Sequence, residues 1–204
     1  MVKAELRLPD GTRRSLDDVI GSVIGYAENY PAVFDLYDLP QGGPHNEVLP
    51  IDLLALNALN AFGNAPPMTA MTNAWIARYD IALMIDPITS KPLEELEEAQ
   101  ISIESEKVGA AMDAIDKISG YGSTATSKLF HRLRPNLGPI WDKKVGIWYA
   151  QHGRDNDWQP WVTRVYADVR EPGTQRCLIA ARERINKPLS LLRIWDLLLW
   201  QWTP

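Results

Sequence analysis

Apolar residues recur at helical spacing through most of this chain, and this periodicity is the strongest constraint on its fold. From Pro92 to Ile118 the apolar side chains form one stripe, after a start rich in glutamate. Acidic residues suit a helix N-terminus because the helix dipole is positive there. The stretch from Ser190 to about Trp200 is almost wholly apolar, which predicts a helix in the core. We therefore predict an all-α fold.

Further helices are predicted where capping and breaking residues bound a periodic segment. One helix begins after Ser15, and the others cover residues 52–62, 67–85, 142–151, 157–169 and 174–185. In the last helix, Arg193 and Asp196 stand three residues apart, so we expect them to pair. Alternation from Lys3 to Leu8, followed by a Pro-Asp-Gly turn, favours a small N-terminal β-hairpin or arm.

The chain is short enough to form one domain. It has 204 residues, 46% of them hydrophobic, and no repeat or linker-like stretch divides it. We predict a single helical domain over residues 1–204. Residues 1–50 would form an N-terminal arm, a helix and a loop that spans 38–45. Residues 118–152 would form a hairpin and a helix that bears an aspartate.

Several classes of protein are disfavoured by composition. No apolar run approaches the roughly 20 residues that span a bilayer, and the charged N-terminus lacks a signal peptide. The one cysteine, Cys177, leaves no cysteine-based metal site, and the three histidines are scattered. We expect a cytoplasmic protein that needs no membrane, metal or other cofactor.

Positive charge is concentrated in one segment. Residues 117–154 contain seven cations and one anion, a net charge of +6 in a chain of net charge −5. Such asymmetry indicates a surface that faces a polyanion. The alternative is that this segment docks on the acidic run between Glu94 and Glu106.

The segment begins with the glycine pair of Gly120-Tyr121-Gly122, between two predicted helices. Glycines leave backbone amides uncovered, so such a turn can place N–H groups against a phosphate. Ser123 or Thr124 would cap the next helix, and Lys128 lies one turn further on. On spacing alone, an ordinary helical turn with a glycine stop and a serine cap explains the same residues.

The segment ends on Asp142, which follows Pro139-Ile140-Trp141 and precedes Lys143 and Lys144. Its position suits a helix N-cap. It equally suits a general base, or a carboxylate that stabilises a cationic transition state beside an anionic substrate backbone. The two roles are compatible.

Together these residues resemble the helix-hairpin-helix DNA glycosylase superfamily. The resemblance lies in Ile118-Ser119-Gly120-Tyr121-Gly122-Ser123-Thr124-Ala125 followed by Pro139-Ile140-Trp141-Asp142-Lys143-Lys144-Val145. It implies an all-α fold in which the hairpin grips a phosphate of duplex DNA. It also implies that Asp142 stabilises a sugar cation while the bond to a flipped base is cleaved. Thr124 stands where bifunctional members carry a lysine, which favours a monofunctional enzyme.

A closer resemblance covers most of the chain after Asp52. The run Ser127-Lys128-Leu129-Phe130-His131-Arg132-Leu133-Arg134-Pro135, leading to Trp141-Asp142, is similar to a bacterial family of unknown function. This resemblance implies no activity.

The cationic run itself offers further candidates. Lys128, His131 and Arg132 fall on one helical face. We predict that Lys128, Arg132 and Arg134, with Lys143 and Lys144, contact DNA, and that His131 is a catalytic proton donor or a phosphate contact. Alternatively, His131 hydrogen-bonds a backbone carbonyl, and Arg134 pairs with Asp142 or Asp196.

The chain also contains eight tryptophans, and aromatic side chains near a cationic groove can stack on a base. We place Trp195 and Trp200 in the core and treat Trp158 and Trp161 as surface candidates for stacking.

Two functional hypotheses follow. In the first, the protein is a DNA glycosylase that uses Asp142, and a cleft beside an arginine-free Asp142 accepts a base. In the second, it is a non-catalytic helix-hairpin-helix protein that binds DNA or a protein partner. Arg134 or Lys128 would then hold Asp142, and no such cleft would exist.

Overall fold

The structure is a computed structural model that describes residues 5–31, 34–38, 45–62, 67–149 and 157–203. It begins with an antiparallel pair of strands, β1 (Glu5–Arg7) and β2 (Arg13–Ser15), in which Leu6 lies opposite Arg14. The prediction of a small N-terminal hairpin is confirmed. Most of the predicted loop over 38–45 lies outside the described residues.

The rest of the described chain is mainly helical. Two short irregular turns, a π-helical one at Phe34–Asp38 and a 3₁₀ one at Leu93–Glu95, accompany ten α-helices. These helices are α1 (Leu16–Asn29), α2 (Pro50–Ala58), α3 (Pro67–Ile76), α4 (Arg78–Ile85), α5 (Glu98–Asp116), α6 (Ser123–Leu133), α7 (Lys143–Trp148), α8 (Trp158–Arg170), α9 (Pro172–Ile185) and α10 (Leu191–Trp202). A helical fold with a small N-terminal sheet is therefore confirmed.

Local chemistry explains where several helices begin. Ser15 caps α1 as predicted, and it forms a reciprocal capping box with Asp18. Helix α2 begins at Pro50, two residues before the expected cap, because proline is well suited to a first helical position. Asp52 instead accepts a hydrogen bond from the Leu49 amide, at 2.9 Å. The predicted helix over 67–85 is two helices, which meet at Ala77.

Helix α10 is the centre of the molecule. It packs against α1, α7, α8 and α9, and all its residues from Leu191 to Leu199 are buried. A second layer forms where α5 packs along α8 and also contacts α4 and α6. The apolar side chains of both layers join one continuous core. In the part of the chain that the structure describes, no helix is long and apolar enough to cross a membrane.

The tryptophans of α8 correct one prediction. Trp158 and Trp161 are only 1% exposed, so neither is a surface stacking residue. They pack edge to face on each other, with ring centroids 5.4 Å apart. Of the polar neighbours that suggested exposure, Asp157 is exposed as the N-cap of α8, Gln159 is half-buried, and Asp155 lies outside the described residues.

The turn between α5 and α6 needs only one of its two glycines. Gly120 has φ +90, and a Cβ there would lie 3.0 Å from the Ala70 Cβ. Gly122 has φ −128, which any residue adopts, and a Cβ there would meet no atom within 4 Å. Gly122 is the N-cap of α6, so the expectation that Ser123 or Thr124 caps this helix is wrong.

We expect Gly120→Ala to destabilise the protein and Gly122→Ala to have little effect on stability. The first substitution forces a side chain into the left-handed region and against Ala70, at a cost of about 1–3 kcal/mol. Urea denaturation of both variants measures the difference. Equal loss of stability in the two variants would contradict this account of the turn.

Candidate functional site

Helix α6 is buried although its sequence is strongly polar. Every residue from Ala125 to Leu133 is inaccessible or nearly so. Buried polar groups require partners, so each one fixes α6 to a neighbouring segment. The Ser127 hydroxyl accepts a hydrogen bond from the Trp141 amide at 2.9 Å and donates to the Trp141 carbonyl at 3.1 Å. Ser127 thereby positions the segment that carries Asp142.

Arg132 faces the interior of the protein. Its guanidinium contacts the fully buried carboxylate of Asp52 at 3.1 Å and donates to the Tyr37 carbonyl at 2.8 Å. His45 approaches the other oxygen of Asp52 at 3.2 Å. The structure thus gives Arg132 an internal role, and it does not present this side chain to DNA.

Arg134 also binds internal groups. Its guanidinium donates to the carbonyls of Ile85, Ile88 and His45, at 3.1, 3.3 and 2.8 Å, and to the Asn46 side chain. These contacts close the loop after α4 against the end of α6. Among the described residues, Arg134 forms no pair with Asp142 or Asp196, and it is buried away from a DNA-facing surface.

His131 lies in the interior, 5% exposed. Its Nδ1 donates to the Gly138 carbonyl at 2.6 Å, and its ring stacks on Tyr37 with 6.0 Å between centroids. Burial, reinforced by the nearby cation of Arg193, lowers the pKa of His131 to about 3. A neutral imidazole held in this way is not a proton donor near neutral pH, and it does not line the cavity described next.

An open cavity of about 240 Å³ lies between α1, α6 and α10. Its upper walls are aromatic: Tyr26, Tyr30 and Trp200 pack edge to face, and Tyr30 is 45% exposed at the mouth. Leu59 and Asn60, just after α2, form another side. Asn60 has φ +49, an uncommon conformation for a residue other than glycine. We call this space the aromatic cavity.

The floor of the aromatic cavity is charged. The Arg193 guanidinium donates two hydrogen bonds to Asp38, one to Asp196 and one to the Tyr26 hydroxyl. The predicted pair of Arg193 and Asp196 is confirmed. Burial raises the pKa of Asp196 to about 7 although Arg193 opposes this shift. The Oδ1 atom of Asp196 has no hydrogen-bond partner among the described residues.

Lys128 reaches the same floor from α6. Its ammonium donates to the Leu59 carbonyl at 3.3 Å, and burial lowers its pKa while Asp142 and Asp196 oppose that shift. Among the described residues, no carboxylate lies within 4 Å of this ammonium. Lys128 is thus a buried cation with hydrogen-bonding capacity left over.

Asp142 lies at the rim of the aromatic cavity and caps α7. Its Oδ1 accepts hydrogen bonds from the amides of Lys144 and Val145, both at 2.9 Å. The other oxygen, Oδ2, has no partner in the part of the chain that the structure describes. Capping therefore occupies one carboxylate oxygen and leaves the second for a ligand.

Exposed cations surround the rim. Lys143 and Lys144 are both exposed, and the Lys144 ammonium lies 4.0 Å from the centre of the Trp200 ring. Trp200 is half-buried: it packs against the core and also lines the aromatic cavity, whereas Trp195 is 1% exposed as predicted.

The turn before α6 presents its glycines and hides its tyrosine. Gly120 and Gly122 are exposed, and Ser123 and Thr124 are half-buried. Tyr121 packs against Phe62, and its amide donates to the Ile118 carbonyl. The amides that remain available for a ligand are those of the first turn of α6.

The acidic run does not neutralise the cationic segment. Glu94 pairs with Arg182 at 2.6 Å, and Glu104 pairs with Lys107 at 2.7 Å. In the described parts of the chain, no glutamate of this run pairs with a cation of residues 117–149. The alternative explanation for the segment is therefore not supported, although Arg154 lies outside the described residues.

Asp142, at the rim of the aromatic cavity, was predicted from the sequence, whereas most residues of the cavity walls were not. Tyr26, Tyr30 and Asn60 carried no motif, and they come from segments distant from Asp142 in sequence. Asp196 was predicted only as an ion-pair partner, of Arg193 or of Arg134. No three acidic, histidine or cysteine side chains of the described residues form a metal-binding group.

The fold and site define a small helical protein with an aromatic cavity whose floor and rim carry carboxylates. The chain belongs to the family described as a family of unknown function (DUF6308), whose model matches residues 25–203. No curated protein and no solved structure matches it.

We expect the His131 imidazole to stay neutral from about pH 8 down to about pH 4.5. Burial holds the pKa of His131 near 3 in the folded protein. In the unfolded chain the imidazole binds a proton near pH 6.5, so below about pH 6.5 the unfolded chain binds a proton that the folded protein does not. His131 therefore contributes to a loss of stability as the pH falls through this window. The Cε1 proton shift in NMR, assigned with His131→Gln, measures the titration. A midpoint near 6.5 would contradict the buried neutral state.

Proposed function

We propose that this protein binds duplex DNA and hydrolyses the N-glycosidic bond of a base flipped into the aromatic cavity. It would act as a monofunctional DNA glycosylase without a metal or other cofactor. The observation that carries the proposal is the free oxygen of Asp142 at the rim of a cavity that could hold a base.

The dimensions of the cavity support this proposal. A cavity of about 150 Å³ is known to hold benzene, and the aromatic cavity is larger, at about 240 Å³. Its rings offer stacking surfaces, and a base gains about 1–3 kcal/mol from stacking on an aromatic side chain. A flipped base could therefore enter as far as the charged floor.

The position of Asp142 supports a role at the sugar. A base on the floor would leave its glycosidic bond near the rim, where Oδ2 of Asp142 is available. Cleavage of that bond generates positive charge on the sugar, which a carboxylate stabilises. The same oxygen could accept a proton from the attacking water.

The surroundings of the rim support binding of a polyanion. Lys143 and Lys144 follow Asp142, and the amides of the first turn of α6 point out of a helix N-terminus. Gly120, Gly122, Ser123 and Thr124 shape this turn. We leave Arg132 and Arg134 out of the proposed contacts because their guanidinium groups have internal partners. We leave Tyr121 out because its side chain is buried and its amide donates to the Ile118 carbonyl.

A second candidate function is a non-catalytic protein that binds a partner protein. The helices α3 and α4 expose several large apolar side chains next to the turn before α6, namely Met68, Ile76, Tyr79 and Leu83. Such a patch is typical of an interaction surface.

Binding to duplex DNA with an abasic-site analogue should weaken steeply as salt increases. We expect Lys143→Gln with Lys144→Gln to reduce the slope of log K against log salt by about 2, since each phosphate contact contributes about 0.9. Arg184→Gln is the matched control, because Arg184 is an exposed cation on α9. Fluorescence anisotropy measures the binding. An unchanged slope in the double variant would contradict this surface, and a slope near zero for the unsubstituted protein would contradict DNA binding.

Base release should depend on the charge of Asp142. Asparagine is as good an N-cap as aspartate, so Asp142→Asn should keep α7 and DNA binding while it removes the carboxylate. We expect base release from duplexes that contain damaged bases to fall about 100-fold or more. Single-turnover assays measure the release. DNA binding without base release from any damaged duplex would contradict the proposed activity and favour a non-catalytic protein that binds DNA.

A further inference from the structure

At the floor of the aromatic cavity, one buried acceptor and one buried donor have hydrogen-bonding capacity that the described residues leave unused. Asp196 is 5% exposed, and its Oδ1 has no hydrogen-bond partner among the described residues. Lys128 is 9% exposed, and its ammonium makes one long hydrogen bond of 3.3 Å. An unpaired buried polar group destabilises a folded protein, so its presence at a cavity wall points to a ligand.

The protein fixes which oxygen of Asp196 is available. Arg193 binds Oδ2, and Arg193 is in turn held by Asp38 and Tyr26. On its other side, Asp196 borders a small void of about 10 Å³, at the lower limit of the space that one water molecule needs. Of these two spaces, the aromatic cavity is the one with room for an organic partner.

We propose that the aromatic cavity recognises a planar heterocycle by a cyclic amide edge, in which a ring N–H donates to Oδ1 of Asp196 and the adjacent C=O accepts from Nζ of Lys128. The inference rests on the proposed function only in taking this ring to be a nucleobase. The broad terminal torsion of an aspartate lets Oδ1 turn toward the ring without loss of the bond to Arg193.

A cyclic amide fits these two groups better than an amino-substituted ring edge. A carbonyl oxygen offers two lone pairs to an ammonium, whereas an unprotonated ring nitrogen offers one. The amide N–H meets a carboxylate, and hydrogen bonds with an ionised partner are about twice as strong as neutral ones. The walls formed by Tyr26, Tyr30 and Trp200 accept any flat ring, so the floor determines selectivity.

Binding of such a ring should strengthen as the pH rises. Oδ1 accepts the ring N–H only when Asp196 is ionised, and burial raises its pKa to about 7. The charged groups that face Asp196 are Arg193 and Lys128, which favour ionisation, and Asp38 and Asp142, which oppose it. We therefore expect tighter binding at about pH 8 than at about pH 6.

The test compares 1-methyluracil with 1,3-dimethyluracil, two rings that differ only in whether N3 carries a hydrogen or a methyl group. Saturation-transfer NMR with the full chain at about pH 8 measures both affinities. We expect a Kd on the order of 1 mM for 1-methyluracil, as for other very small ligands. The dimethyl ring should bind about 10-fold more weakly or worse, because one charge-assisted hydrogen bond is lost.

Protein variants assign the contacts. Asp196→Asn keeps an oxygen for Arg193 and puts an N–H₂ where Oδ1 stood, so it should abolish the preference for 1-methyluracil and its pH dependence. Lys128→Met should weaken binding of 1-methyluracil about 10-fold or more. Asp17→Asn, at an exposed position on α1, is the matched control and should change nothing. Circular dichroism establishes that each variant is folded.

Three results would overturn the inference: equal affinity for the two rings, no binding of 1-methyluracil at about 10 mM, or equal affinity for 1-methylcytosine, which has an amino-substituted edge. The comparison of rings needs no variant, so it holds even if Asp196→Asn fails to fold. Ring selectivity without salt-dependent DNA binding would contradict the proposed function and leave this inference standing. DNA binding and base release without ring selectivity would overturn this inference and leave the proposed function standing.

Discussion

The fold depends on the ion pairs and hydrogen bonds that satisfy the charged groups buried in its interior. Arg193 lies at the centre of the molecule, and its guanidinium joins the π-helical turn, α1 and α10 through Asp38, Tyr26 and Asp196. Breaking such a buried cluster is costly because it leaves unpaired charge in a medium of low polarity. The same cluster forms the floor of the aromatic cavity. The interaction that organises the core is thus also the one that gives the cavity its chemistry.

Helix α6 extends this constraint to the rest of the site. Its polar residues all point at other segments: Ser127 at the chain before Asp142, Arg132 at Asp52, and Arg134 at the carbonyls that follow α4. A run that the sequence suggested as a DNA-binding face is therefore mainly a scaffold. Among the described cations of residues 117–149, Lys117, Lys143 and Lys144 are exposed, and the last two directly follow Asp142.

Helical periodicity and capping rules were enough to predict most of the fold. The N-terminal hairpin, the cap at Ser15, the buried α10 and the pair of Arg193 with Asp196 all follow from local patterns. The aromatic cavity could not be predicted in this way, because its walls come from residues as distant in sequence as Tyr26 and Trp200. Local polarity also failed for Trp158 and Trp161, since burial of a tryptophan depends on which helix packs against it. Asp142 could be predicted as a helix cap from its position after Pro139-Ile140-Trp141, and the same residue lies at the cavity rim.

The contacts of Ser127 affect the distance between the floor of the aromatic cavity and Asp142 at its rim. Ser127 holds the backbone next to Asp142, and the following residue, Lys128, supplies a group on the floor. Rim and floor are therefore both held by consecutive residues of one buried helix. Because two hydrogen bonds of Ser127 fix the backbone next to Asp142 to that helix, we expect the distance between rim and floor to vary little. If a base binds as proposed, a ring that extends too far or too little from the floor would leave its glycosidic bond out of reach of Asp142.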